Sequence, residues 1–137
     1  MAAEYRIDEA ARRVSLVLTG SYAIAEVEAC YARLFADPHF RPGCDLLIDG
    51  RGAGGTPPTM DLRARARRAG ELKGRFSGRI ALVSAAPDVV YALARMYAVY
   101  AEEHGVVAKV FTRMADAELW LSSPRSGDAQ GVLPPHG

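Results

Sequence analysis

The hydrophobic positions follow two rhythms that alternate along the chain. Tyr5 to Asp8 and Val14 to Thr19 carry the period of two expected of strands, and the polar EAARR between them predicts a β-hairpin. Within VSLVLT, Val14, Leu16 and Leu18 share one face while Val17 adds apolar character to the other. Gly20 and Ser21 break that strand, and Ser21 is placed to cap a helix reaching about Ala36. In that helix Ile24, Val27, Tyr31, Leu34 and Phe35 recur at core-facing spacing. DPHFRPG, residues 37–43, is a loop by its two prolines and glycine.

Leu46 to Asp49 predicts a short strand, apolar enough to be buried on both faces. A helix is expected from about Pro57 to Phe76, with Leu62, Ala66, Ala69, Leu72 and Phe76 inward and Gly70 and Gly74 weakening its second half. RIALVS, residues 79–84, is the best candidate for a central strand. Pro87 opens a helix running to His104, with Val89, Leu93, Met96, Tyr97 and Tyr100 as its buried stripe and Gly105 as its stop. Val106 to Phe111 reads as the last strand, and Ala115 to Leu121 as a final helix carrying the single tryptophan, Trp120. The order β-β-α-β-α-β-α-β-α predicts one α/β domain over residues 1–121. Its single mixed, mostly parallel sheet starts with an antiparallel hairpin. The tail from Ser122 is small, polar and proline-bearing, and disorder is expected there.

Composition narrows the function classes. The 137 residues are half hydrophobic and 24% charged, with a net charge of +1, so no global field points to nucleic acid or an acidic partner. No run approaches the ~18 apolar residues of a membrane span, and MAAEYRIDEAARR lacks the order of a signal peptide. The cytoplasm is therefore the default compartment. Cys30 and Cys44 lack C-x-x-C spacing and read as two free thiols.

The stretch LLIDGRGAGGTPPTMDL, residues 46–62, is the first candidate for chemistry. Gly50, Gly52 and Gly55 satisfy G-x-G-x-x-G after a strand, the pattern of a dinucleotide loop. Pro57 and Pro58 remove the donors such a loop needs, and no acidic residue ends the following strand. No lysine completes a triphosphate loop either. A surface turn is the favoured reading, and no cofactor is expected. Thr56 or Thr59 would cap the helix, and a phosphate on either hydroxyl would lie at the positive end of its dipole. Capping is preferred.

Four stretches, DPHFRPGCDLLIDGRG (37–52), RIALVSAAPDVVYALARMY (79–97), VAKVF (107–111) and AELWL (117–121), together with the element order, resemble the STAS superfamily. More narrowly the chain resembles its SpoIIAA-like branch of small bacterial proteins, over roughly residues 4–122. The resemblance implies helices packed on a mixed sheet and a role in binding rather than catalysis. Anti-sigma-factor antagonists of that superfamily are switched by phosphorylating a serine in an Asp-Ser-Ser-Gly context after the third strand. Asp49-Gly50-Arg51-Gly52 stands there instead, so no phosphosite is carried over. Kinship in fold to CRAL-TRIO domains makes an apolar ligand or lipid the alternative.

Other constellations have plain readings beside functional ones. Arg63, Arg67 and Arg68 fall opposite Leu62 and Ala69, a basic face able to meet an anionic membrane or an acidic partner, although a solvated face is the commoner case. Nucleic acid is disfavoured because no aromatic residues interleave with these charges. Tyr91 and Arg95 are i, i+4 neighbours, and Tyr91 would line one cleft with Asp49, Arg51 and Ser84. Asp45 and Asp49 straddle a strand of four residues and could both point to one face, yet a carboxylate at a strand end usually caps or pairs with arginine. His39, His104 and His136 are scattered, His39 and Cys44 do not make a zinc site, and His104 suits a helix C-terminus. No G-x-S-x-G elbow is present. The sequence therefore predicts a non-catalytic binding module with an unknown protein partner. Its working surface is expected at the carboxyl edge of the sheet: the 49–59 loop, the 84–91 turn and the basic helix. A homodimer through an exposed helix or edge-strand surface stays open, with nothing in the sequence to set its geometry, and an enzyme using Asp49 is the weakest rival.

Overall fold

Strand alternation sets the first two elements, β1 (Ala3–Asp8) and β2 (Arg13–Gly20), which pair antiparallel in a computed structural model that describes residues 3–20, 23–53, 67, 70, 76–85 and 88–123. The turn between them is closed by Arg12 N–H to the Glu9 carbonyl at 3.2 Å and by Ala11 N–H to Asp8 Oδ1 at 3.0 Å. Helix α1 (Ile24–Ala36) follows. Ala23 occupies its N-cap and donates its own N–H to Glu26 Oε1 at 2.8 Å, so the reciprocal half of a capping box is made by glutamate alone. Ser21 lies outside the described residues.

Strands β3 (Cys44–Ala53), β4 (Phe76–Val83) and β5 (Val107–Phe111) complete a five-stranded sheet whose spatial order is the chain order. Every pairing after the first is parallel. Helix α2 (Asp88–Glu103) crosses from β4 to β5, and α3 (Met114–Ser122) ends the described chain. The α/β architecture is thus the one expected, with β3 rather than β4 in the middle. Residues 67 and 70 are helical, as predicted; the rest of the 57–75 segment and the chain beyond 123 lie outside the described residues.

The sheet buries both faces. Val14, Leu16 and Leu18 point with Leu46 and Ile80 into the larger core, which α1 closes with Cys30, Tyr31 and Leu34 and α2 with Tyr97 and Ala101. The opposite face presents Leu47, Ala81 and Val83 to Ala117 and Leu121 of α3. Cys30 and Cys44 are both buried and unlinked, and burial pushes the Cys30 thiol up.

Two boundaries and one burial assignment stand out against the sequence reading. Phe76 begins β4 instead of ending a helix, because its ring packs 5.8 to 6.5 Å from those of Phe40, Phe35 and Tyr31 and seals the amino end of the sheet. Met96, assigned to the buried stripe of α2, is exposed, and Ala101 takes a place in the core. The strand expected to stop at Asp49 continues to Ala53, since Thr19 and Gly20 of β2 offer partners to Gly52 and Ala53. The stop of α2 is where glycine predicted it. Gly105 has φ +80°, its N–H meets the Glu102 carbonyl at 3.0 Å, and Val106 N–H meets that of Ala101 at 3.1 Å, a Schellman closure with Val106 and Ala101 buried beside it.

Candidate functional site

The carboxyl end of β3 is built by three consecutive requirements. Asp49 lies level with Val17 of β2 and Val83 of β4, so its backbone is fixed on both sides. Gly50 follows because a side chain there would come within 3.2 Å of the Val83 carbonyl oxygen. Val17 of β2 pairs with Asp49 and Thr19 with Gly52, so β3 carries one extra residue here, and in this irregularity Arg51 folds back onto Asp49. Its Nε and Nη2 each donate to one carboxylate oxygen of Asp49 at 2.9 Å, and its backbone N–H donates to Oδ1 at 3.1 Å.

This three-bond clamp sets the charge states. Hydrogen bonding from the Arg51 side chain, reinforced by its backbone N–H and charge, holds the Asp49 carboxyl below the ordinary aspartate range against the opposing effect of burial. The same bonds raise Arg51, with a further contribution from the charge of Glu118 on α3. Asp49 is therefore a committed anion with its lone pairs engaged, and it sits inside a strand, not at a strand end. The enzyme reading rested on that end position and loses its basis.

The other expected site residues are distributed over the fold. Ser84 follows β4; its N–H donates to the Phe111 carbonyl at 2.9 Å, and its buried hydroxyl has no hydrogen-bond partner among the described residues. Tyr91 is half-buried and Arg95 exposed on α2, the helix that packs on the face opposite α3. Asp49 and Arg51 belong to the α3 face, so the sheet stands between the two pairs. Among the described residues, neither Tyr91 nor Arg95 shares a hydrogen bond or ion pair with Asp49, Arg51 or Ser84. Arg67 is helical and exposed. Thr56, Thr59, Arg63 and Arg68 lie outside the described residues.

The second arginine–aspartate clamp was invisible as a pair in the sequence. Asp45 and Arg79 sit near the amino ends of β3 and β4, and both are buried. Arg79 Nη2 meets Asp45 Oδ2 at 2.7 Å and Nε meets Oδ1 at 3.3 Å. The remaining donors reach carbonyls at the end of α3: Leu121 at 2.8 Å, Ser123 at 3.0 Å and, at 3.4 Å, Trp120, whose oxygen also accepts the Ser123 N–H. The Trp120 ring lies 5.7 Å from the Arg79 guanidinium and 5.3 Å from Lys109 Nζ. Arg79 thus fastens the last helix to the sheet. A charged residue at the mouth of each of two apolar strands was the only signal, and pairing them needs the strand register.

At the amino end, Tyr5 Oη donates to Asp37 Oδ2 at 2.7 Å and His39 Nδ1 lies 3.0 Å from Glu9 Oε2. Cys44 Sγ donates to the Arg41 carbonyl, so His39 and Cys44 serve separate contacts. Among the described residues no group of three His, Cys, Asp or Glu could hold a metal ion, and no helix is long and apolar enough to cross a membrane.

Comparison with known proteins speaks to the fold. No protein-family model matches the sequence, and a search of the curated proteins finds no match. Among solved structures, the chain is similar to an uncharacterised protein from the DUF3478 family with a SpoIIAA-like fold from Shewanella loihica PV-4. The TM-score is 0.58 at 18% identity, over 88% of this chain and 92% of the other. The fold is therefore SpoIIAA-like, in agreement with the resemblance carried by the sequence.

Proposed function

We propose that this SpoIIAA-like domain is a non-catalytic bacterial regulatory module that binds a protein partner at the carboxyl end of its sheet. The observation that carries the reading is the Asp49–Arg51 clamp. A general acid or base needs a pKa near the working pH and a free lone pair or proton; the clamp moves Asp49 away from that range and occupies its oxygens. What it offers instead is a half-exposed arginine held in a fixed orientation by its own strand, the kind of preorganised cation that recognises an acidic partner surface. Exposed Arg67 extends the same charge onto the following segment. The fold supports the regulatory role, and the cytoplasm is the compartment that such a role implies.

The test is affinity capture from a bacterial lysate with the wild-type chain, Arg51→Glu and Arg67→Glu, each checked for an unchanged melting temperature. A partner retained by the wild type and lost by the charge reversals is the expected result. An identical set of captured proteins would remove this surface from consideration. Retention on anionic liposomes at low salt, lost in Arg67→Glu, would assign the charge to a membrane instead.

A further inference from the structure

We infer that the open edge of β5 takes up an extended, carboxylate-bearing segment of a partner protein, which adds to the sheet as a further strand opposite Lys109. β5 ends the sheet and pairs only with β4. Its backbone groups alternate between the two sides. The Phe111 carbonyl accepts the Ser84 N–H, so Phe111, and with it Lys109 and Val107, turn their backbone groups towards β4. Ala108 and Val110 direct theirs outward, and among the described residues nothing bonds them. Donors and acceptors at this ladder spacing are met together by extended backbone, which fixes the conformation of the occupant.

The side chains fix its chemistry. Phe111 packs against α3, and alternation places Lys109 and Val107 on the same face. Val107 is 44% exposed. Lys109 is exposed, carries the only charge on the strand and has no ion pair among the described residues. The Trp120 ring, 5.3 Å from its Nζ, keeps the ammonium beside the strand. Glu102 and Glu103 end α2, which packs on the other face of the sheet. An antiparallel strand that bonds Ala108 and Val110 sets one residue directly opposite Lys109. The residues two before and two after it fall opposite Phe111 and Val107. The complementary segment therefore reads apolar-x-acidic-x-apolar. A second copy of β5 does not fit, because bonding Ala108 and Val110 of both strands sets the two Lys109 ammonium groups against each other. A shifted register runs past an end of the five-residue strand. Lysine on an edge guards against such self-pairing, and the same charge favours a strand that brings a carboxylate.

The experiment is fluorescence anisotropy of the labelled peptide Thr-Val-Thr-Glu-Thr-Val-Thr titrated with the full chain to roughly 1 mM, where even weak specific pairs form. Binding is expected, and it should weaken about ten-fold when lysine replaces the glutamate, because attraction across the pair becomes repulsion. Lys109→Glu should reverse that preference. N-methylation of the two threonines flanking the glutamate blocks the donors that face β5 and should abolish binding, whereas N-methylation of the glutamate itself should not. Val110→Pro removes an outward N–H without touching the ladder to β4, and should abolish binding while the cooperative melt is retained. A glutamate peptide that does not bind overturns the inference, as does a lysine peptide that binds equally well. Binding that survives methylation of both threonines overturns the added strand. Arg51→Glu, on β3, should leave the affinity unchanged; a loss there would assign the peptide to the Arg51 surface and overturn the edge.

Discussion

Arg79 and Asp45 face one another across adjacent parallel strands, and the arginine that neutralises the aspartate also closes the end of α3. One guanidinium thus joins β3, β4 and the last helix, with contacts of 2.7 Å to Asp45 and 2.8 Å to the Leu121 carbonyl. The apolar contact beneath α3 is small, mainly Leu47, Ala81 and Val83 against Ala117 and Leu121. A polar clamp therefore carries much of the docking of that helix.

Removing one partner of this pair should cost far more than removing both. Arg79→Met takes both guanidinium contacts from the buried Asp45 carboxylate, for an expected loss of about 3–5 kcal/mol. Combining it with Asp45→Leu removes the stranded charge and should recover a large part. Urea unfolding of the two singles and the double, read as a mutant cycle, gives the coupling directly. Equal, additive losses would show that the ion pair is not what holds α3.

Gly70 should resist substitution for a reason unrelated to its weak helix propensity. A Cβ at this position would lie 2.6 Å from Cβ of His104 and 3.4 Å from its carbonyl oxygen, so Gly70 lies very close to the end of α2. Gly70→Ala, which raises helix propensity, is nevertheless expected to destabilise by about 1–3 kcal/mol through overpacking. His104→Ala retains the offending atom and should not relieve it, whereas His104→Gly should. Thermal melts of the two double variants discriminate, and relief by His104→Ala would count against the contact.

Acid should weaken the clamp on β3 in a defined direction. Folding lowers the Asp49 pKa, so between the folded value and the unfolded one, about 3.9, the unfolded chain binds more protons. The contribution is complete above the unfolded value and fades as pH falls through the folded one. Asp49→Asn should make the acid limb of the stability curve shallower below about pH 4 while changing little of its shape near neutrality. Asp37, lowered by the His39 backbone N–H and then by the Tyr5 hydroxyl, acts with the same sign and keeps part of that limb. A limb unchanged by Asp49→Asn would mean that the pair contributes equally to both states.

Local signals in the sequence were reliable where the responsible forces are local. Gly105 marked the end of α2 because its positive φ and the Schellman bonds involve neighbours only. The alternation of Val14, Leu16 and Leu18 marked a buried face in the same way. Misreadings came where distant pairing overrides local preference. Gly50 to Ala53 form poor strand by composition, yet Thr19 and Gly20 of β2 pair with Gly52 and Ala53. The Asp45–Arg79 clamp spans 34 residues and follows from parallel register, which no periodicity reveals. Asp49 and Arg51 are two residues apart, but their pairing accompanies the register shift opposite Val17 and Thr19, which no periodicity reveals.

The strand sequence in space, β1-β2-β3-β4-β5, repeats the sequence in the chain. Each new strand therefore finds its template already in place as synthesis proceeds from the amino terminus, and no gap has to be held open for a later arrival. The last step, α3 seating on Arg79, comes only when the fourth strand has delivered that arginine. The growing polypeptide is thus laid down in the order in which it can be consolidated, and α3 acts as the latch on the sheet.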